Sequence, residues 1–204
     1  MDISWLGENS FLISDEIVNV IVNPNSANLD TSIINENTVF ISTELNTSYS
    51  TDSPIVDSPG EYEINNVSIT GVANGMIKSD EKMITTCYKL ESRGLSIAII
   101  GDIGTQLDSE ALSALSSSHA VVFSPDNKNI DSEILANTVR SLETRKILIS
   151  GFDKNSQKSS QGLESINKVL GLKDFESKNK ASFTLSNLGA VSYTHLTLPT
   201  ILRV

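Results

Sequence analysis

The chain has 204 residues, a formal charge of −10 and a pI near 4.6, with 39% hydrophobic and 20% charged residues. This size suits a single domain, and the composition is too apolar for a disordered chain. An acidic surface repels phosphate backbones, so a nucleic-acid partner is not expected.

The first half reads as strands. Asp2–Leu6, Phe11–Ser14 and Ile17–Val22 are short apolar runs broken by Gly, Asn, Asp and Glu. Thr38–Ser42 reads as a buried strand and Pro54–Val56 as a short one. Pro59-Gly60 is a turn signal. Glu61–Ile64 and Val67–Val72 then read as a hairpin with Asn65-Asn66 at its tip, because Asn tolerates the left-handed conformation of tight turns. Met83–Leu90 and Leu95–Gly101 make a further pair. The second half alternates. Helices are expected over Ser109–Leu115, Ser132–Leu142 and Ser160–Leu170, the first capped by Asp108 or Ser109 and the last stopped by Gly171. Strands are expected at Ala120–Ser124, Lys146–Ser150 and Ala181–Leu185. Strands followed by alternating strands and helices predict an α/β or α+β sandwich.

Cys87 is the one cysteine, so no internal disulfide can form, which fits a reducing compartment. No apolar run is long enough to span a bilayer, and no basic-then-apolar leader opens the chain. The expectation is a cytoplasmic protein without a membrane partner. Val191–Thr200 resembles a translated transposon end from sequencing libraries, so residues 190–204 are read as a non-native scar and residues 1–189 as the domain. On that reading the natural C-terminus is cut off, and a sheet edge is left open or filled by a foreign segment.

Three segments carry a resemblance: Ile3–Phe11 (ISWLGENSF), Pro59–Glu63 (PGEYE) and Ile100–Gly104 (IGDIG). In this order the chain resembles the metallo-β-lactamase superfamily, in particular its small bacterial and archaeal branch of metal-dependent hydrolases. The resemblance covers about residues 1–185 and implies a four-layer αββα sandwich. It also implies a metal site fed by a His-x-His-x-Asp-His segment. A hydrolytic zinc needs about three protein ligands and an open position, where bound water ionises near pH 7. Here the matching positions are Thr43, Leu45, Thr47 and Ser48, and Gly7-Glu8-Asn9-Ser10 stands where the family has Gly-His-Ser. The two histidines, His119 and His195, fall at none of the implied ligand positions, and Gly151 occupies the last one. Of the implied ligands only Asp102 remains.

The expected function is therefore a pseudoenzyme of this fold with a binding or assembly role, with no cofactor and with a protein partner or a second copy. The alternative is a hydrolase with a rebuilt site in which Asp102, Glu8 and Glu44 hold a hard divalent cation, which prefers oxygen ligands. The structural reading of Asp102 is a buried carboxylate satisfied by backbone N–H groups of the Gly101–Gly104 turn. Glu61 and Glu63 share a strand face and read as solvated. His119 follows Ser116-Ser117-Ser118, but no G-x-S-x-G segment supports a hydrolytic triad.

Overall fold

The computed structural model describes residues 1–25, 29–44, 51–78, 81–125, 127, 129–151, 157–171, 176–188 and 192–196. Strands β1 (Asp2–Gly7), β2 (Ser10–Ser14), β3 (Asn19–Val22), β4 (Thr38–Ile41), β5 (Ile55–Val56) and β13 (Lys180–Ser182) form one sheet, ordered β13-β1-β2-β3-β4-β5. Strands β6 (Gly60–Ile64), β7 (Val67–Lys78), β8 (Glu81–Ser92), β9 (Leu95–Ile99), β10 (Ala120–Phe123), β11 (Lys146–Ile149), β12 (Glu176–Lys178) and β14 (Ser192–Leu196) form the other. Its order is β12-β14-β11-β10-β9-β8-β7-β6. The β6 to β9 side is antiparallel, and β9, β10, β11, β14 and β12 run parallel. Helices α1 (Ser109–Leu115), α2 (Ser132–Ser141) and α3 (Gln157–Leu170) supply the connections on the parallel side.

The side-chain period of two sorts the second sheet into two cores. Ile97, Ile99, Ala120, Val122 and Leu148 face the first sheet, where they meet Ile3, Phe11, Ile13, Val20, Val22, Val39 and Ile41. Their neighbours Ala98, Val121, Phe123, Ile147 and Ile149 face Ala111 and Leu115 of α1, Leu135 and Val139 of α2, and Leu163 and Ile166 of α3. Strands buried on both faces become continuous apolar runs, as parallel strands usually do. Each buried aliphatic side chain stabilises the fold by roughly 1.5–3 kcal/mol. The result is the sandwich of two sheets faced by helices that the sequence predicts.

Caps set the helix starts. Asp108 accepts from the Ala111 N–H at 2.8 Å and Asp131 from the Glu133 N–H at 2.7 Å. Asn65 and Asn66 turn the β6–β7 hairpin at φ +51° and +61°, as their side chains allow.

Several elements differ from expectation. Strand β3 begins at Asn19 and not at Ile17, because Asp15 Oδ1 accepts from the Ile17 and Val18 N–H groups and folds those residues into a turn. The β7–β8 ladder runs from Ser68↔Glu91 to Lys78↔Glu81, well beyond the expected Val72 and Met83 ends. Asn74 and Gly75 are poor strand formers, and a neighbouring loop holds them. The Gly104 N–H donates to Gly75 O and Asn74 Oδ1, and the Asn74 amide donates to Thr105 O. The expected Ala181–Leu185 strand is β13 followed by a 3₁₀ turn at Leu185–Asn187. Strand β14, within residues 190–204, lies between β11 and β12 in the interior of the second sheet. Among the described residues no helix is long and apolar enough to cross a membrane.

Candidate functional site

Parallel strands β9, β10 and β11 end together, and the chain leaves each of them toward the turns after β1, β3 and β4. The crevice beyond such strand ends is where α/β sheets commonly bind ligands. Here it is a cavity of about 360 Å³ lined by Glu8 to Phe11, Asn23 to Asn25, Ser42 to Glu44, Ile99 to Asp102, Val122 to Ser124, and Ser150. The three carboxylates singled out in the sequence, Glu8, Glu44 and Asp102, all line this one cavity, and so does Thr43. Leu45, Thr47 and Ser48 lie outside the described residues.

Each wall has a local cause. Glu8 sits in the β1–β2 turn at φ +48°, with its carbonyl accepting from Trp5 Nε1 at 2.7 Å and its carboxylate accepting from the Asn25 amide at 3.2 Å. Asn23 closes β3 at φ +46°, and its Oδ1 accepts from both the backbone N–H and the hydroxyl of Thr43, at 2.8 and 3.1 Å. The Thr43 carbonyl in turn accepts from Thr85 Oγ1 at 2.8 Å and the Thr86 N–H at 2.7 Å. Glu44 then bridges to Thr85 of β8. Two glycines let these walls approach. A Cβ on Gly101 would lie 2.7 Å from Thr85 Oγ1 and 2.8 Å from Thr43 Cβ, and one on Gly151, at φ +69°, would lie 2.5 Å from Asn9 Oδ1. The amides of Asn9, Asn23 and Asn25 were not singled out in the sequence. Only a strand end followed by Asn-Pro at Asn23-Pro24 hints at the second.

The described residues of the cavity do not fit a zinc ion. The Thr43 hydroxyl already donates to Asn23, and Gly151 carries no donor at the last implied ligand position. Among the described residues no group of three His, Cys, Asp or Glu side chains is placed to hold a metal ion. Sharing a cavity has therefore not brought the carboxylates of Glu8, Glu44 and Asp102 to one point. Asp102 is half-buried, not buried, and the N–H of Gly104 is taken by Asn74 and Gly75, so that turn group does not satisfy it.

The other candidates lie elsewhere. His119 stands at the opposite end of β10. Its Nδ1 accepts from the Ser96 N–H at 3.1 Å and lies 2.9 Å from Ser96 Oγ, a hydroxyl buried to 3% exposure. This joins the β9 and β10 starts and presents no accessible nucleophile. His195 belongs to β14. Glu61 and Glu63 are exposed. Cys87 is fully buried between β8 and the helices, and burial pushes its thiol up to about 12 despite a hydrogen bond from the Gly101 N–H, so it stays protonated and inert.

Solved structures with the same fold align over almost the whole chain. A Thermotoga maritima protein of the metallo-β-lactamase superfamily shares 17% identity at TM-score 0.73, covering 96% of this chain and 97% of that one. The metallo hydrolase Igni18 from Ignicoccus hospitalis shares 9% at TM-score 0.61, covering 97% and 95%. Zn²⁺-bound PqqB from Methylobacterium extorquens shares 10% at TM-score 0.52, covering 81% and 96%. No curated protein matches the sequence. The β-lactamase superfamily domain matches residues 2–149, from the first strand through the three parallel strand ends that frame the cavity, and the chain belongs to that superfamily.

Proposed function

We propose that this chain is a non-catalytic member of its superfamily, a binding or assembly subunit that keeps the site as a ligand cavity. The observation that supports it is the donor set. At the implied ligand positions that the structure describes stand Thr43, committed to Asn23, Gly151, and the one retained ligand, Asp102, and the sequence places Leu45, Thr47 and Ser48 at three others. A leucine has no donor atom, and neutral hydroxyls are poor zinc ligands beside imidazole and carboxylate. The scaffold is retained around a cavity bounded by amides, hydroxyls and three carboxylates. The family's hydrolytic chemistry needs a metal-activated water, and this donor set supplies no route to one.

The competing reading is a hydrolase rebuilt around Glu8, Glu44 and Asp102, motivated by their sharing of one cavity. Metal content measured by mass spectrometry after loading with Zn²⁺, Mn²⁺ and Mg²⁺ separates the two. The proposal expects less than about a tenth of an ion per chain. One tightly held ion per chain, lost in Asp102→Ala, would overturn it.

A further inference from the structure

We infer that a cavity at the starts of β9, β10 and β11 is a second binding site, and that it takes a zwitterion of the free α-amino acid class. It stands apart from the strand-end cavity and does not depend on how that cavity is read. Its volume is about 390 Å³, and His119, Glu143 and Arg145 share its wall. Two of these groups are fixed as donors. The Ser96 N–H donates to His119 Nδ1 at 3.1 Å, so that nitrogen carries no proton and the neutral ring holds its proton on Nε2. Nε2 donates to no described residue. The exposed Arg145 guanidinium likewise makes no ion pair or hydrogen bond with a described residue, although the chain carries a net charge of −10.

The rest of the wall accepts. A hydroxyl has one proton, and three lining serines donate theirs to helix carbonyls: Ser116 to Ser113, Ser118 to Leu115 and Ser141 to Asn137, at 2.8, 2.8 and 2.9 Å. What these oxygens still offer is lone pairs. The exposed Glu143 carboxylate also makes no ion pair or hydrogen bond with a described residue. Glu143 and Arg145 thus stand two residues apart on one cavity, opposite in charge and not paired with each other. Arg145 and the His119 Nε2–H suit a carboxylate, and Glu143 with the serine oxygens suits an ammonium group, which donates three hydrogen bonds and accepts none. A ligand with both charges meets both sets, whereas an anion or a cation alone leaves one set opposed. Between the two charged residues lies Thr144, 6% exposed, whose hydroxyl has no partner. A buried polar group left unmet calls for a partner from outside the chain.

The test is NMR titration of the full chain, read at the imidazole signals. His119 and His195 are its two histidines, so His119→Gln assigns the first signal and His195 serves as the reference. The probes are L-alanine and L-glutamine, beside acetate, methylammonium and inorganic phosphate, at fixed pH and about 0.15 M salt. At least one of the two amino acids should move the His119 signal saturably, with a Kd below about 5 mM. Acetate and methylammonium should each bind roughly tenfold more weakly, because each meets half of the wall. Arg145→Gln and Glu143→Gln, both at exposed positions, should each weaken amino-acid binding by about fivefold or more, and Glu133→Gln, on the exposed side of α2, should leave it unchanged. Melting curves identify any variant that fails to fold, and the comparison of the amino acids with acetate and methylammonium on the parent chain then decides. No saturable movement with either amino acid, equal movement of His195, or acetate binding as tightly as the amino acids overturns the inference. Phosphate binding that Arg145→Gln removes and Glu143→Gln does not would make this a simple anion site and overturns it equally. None of these outcomes touches the non-catalytic reading, which metal content tests.

Discussion

The two ends of the parallel strands β9, β10 and β11 both carry a cavity, of about 390 Å³ at the starts and about 360 Å³ at the ends, and their walls differ: His119, Glu143 and Arg145 line the first, and Glu8, Glu44 and Asp102 the second. At the strand starts His119 and Ser118 bond to the protein itself, while the buried Thr144 hydroxyl finds no partner. His119 Nδ1 accepts from Ser96, and Ser118 Oγ donates to the Leu115 carbonyl at 2.8 Å. At the strand ends, polar groups gather around an open volume with Glu8, Glu44 and Asp102 on its walls. Both ends are rich in serine and both contain residues at positive φ, namely Ser117 and Glu143 at the starts and Glu8, Asn23 and Gly151 at the ends. Serine content and positive φ thus do not separate the two cavities. What separates them is where the hydrogen bonds go.

Mutations that close the strand-end cavity should have the largest effect. Gly101→Val would put side-chain atoms into space already within 2.8 Å of Thr85 and Thr43. A loss of about 3 kcal/mol is expected, or roughly 9 °C in melting temperature. A shift under about 2 °C by scanning calorimetry would mean the wall yields and is not a fixed frame. Asn23→Ala comes next. It removes the one acceptor shared by the Thr43 N–H and hydroxyl and puts Ala at φ +46°. The expected cost is about 2 kcal/mol. Urea unfolding measures it, and a loss under about 0.5 kcal/mol would mean that Thr43 finds another acceptor. At the opposite end, His119→Ala should cost about 1 kcal/mol by freeing the buried Ser96 donors. A cost by urea unfolding as large as that of Asn23→Ala would break the contrast between the two ends.

The scaffold was legible for a physical reason. Strands such as Ala120–Phe123 and Lys146–Ile149 are short apolar runs bounded by turn residues, and that pattern survives burial on both faces. Glu8, Glu44 and Asp102 were found from the family's spacing, and the fold does bring them to one cavity. Their mutual separation was not legible, since spacing along a chain does not report where side chains converge. Nor was Asn23, whose role depends on a hydrogen bond across 20 residues to Thr43. The β7–β8 ladder was underestimated because Asn74 and Gly75 are stabilised by Gly104 and Thr105, a contact no local pattern encodes. Residues 190–204 remain proposed as foreign to the domain. Strand β14 shows that a Thr- and Tyr-bearing segment can be paired there through its backbone, whatever its origin.

The smallest effect tests the start-side pattern by pH. Burial tends to raise the Asp15 carboxyl, but hydrogen bonds from Ser92 Oγ at 2.5 Å and from the Ile17 and Val18 N–H groups, with the Arg93 charge, outweigh it and hold the carboxyl below its ordinary value. A carboxyl depressed in the folded state binds its proton more readily when unfolded. Its stabilisation is therefore complete above the unfolded value of about 3.9 and is lost as pH falls through the lower folded value. Solvent screening keeps the contribution below about 1 kcal/mol. Asp15→Asn should thus lower stability at pH 7 slightly, and the gap to the parent protein should narrow as pH falls below about 4. Urea unfolding at pH 7, 4 and 3 measures this. A gap that stays constant with pH would mean the turn is held by shape, not by the ionised carboxylate. The neighbouring Arg93–Glu16 pair, at 2.6 Å but exposed on both sides, would then be no better a candidate for the charge effect.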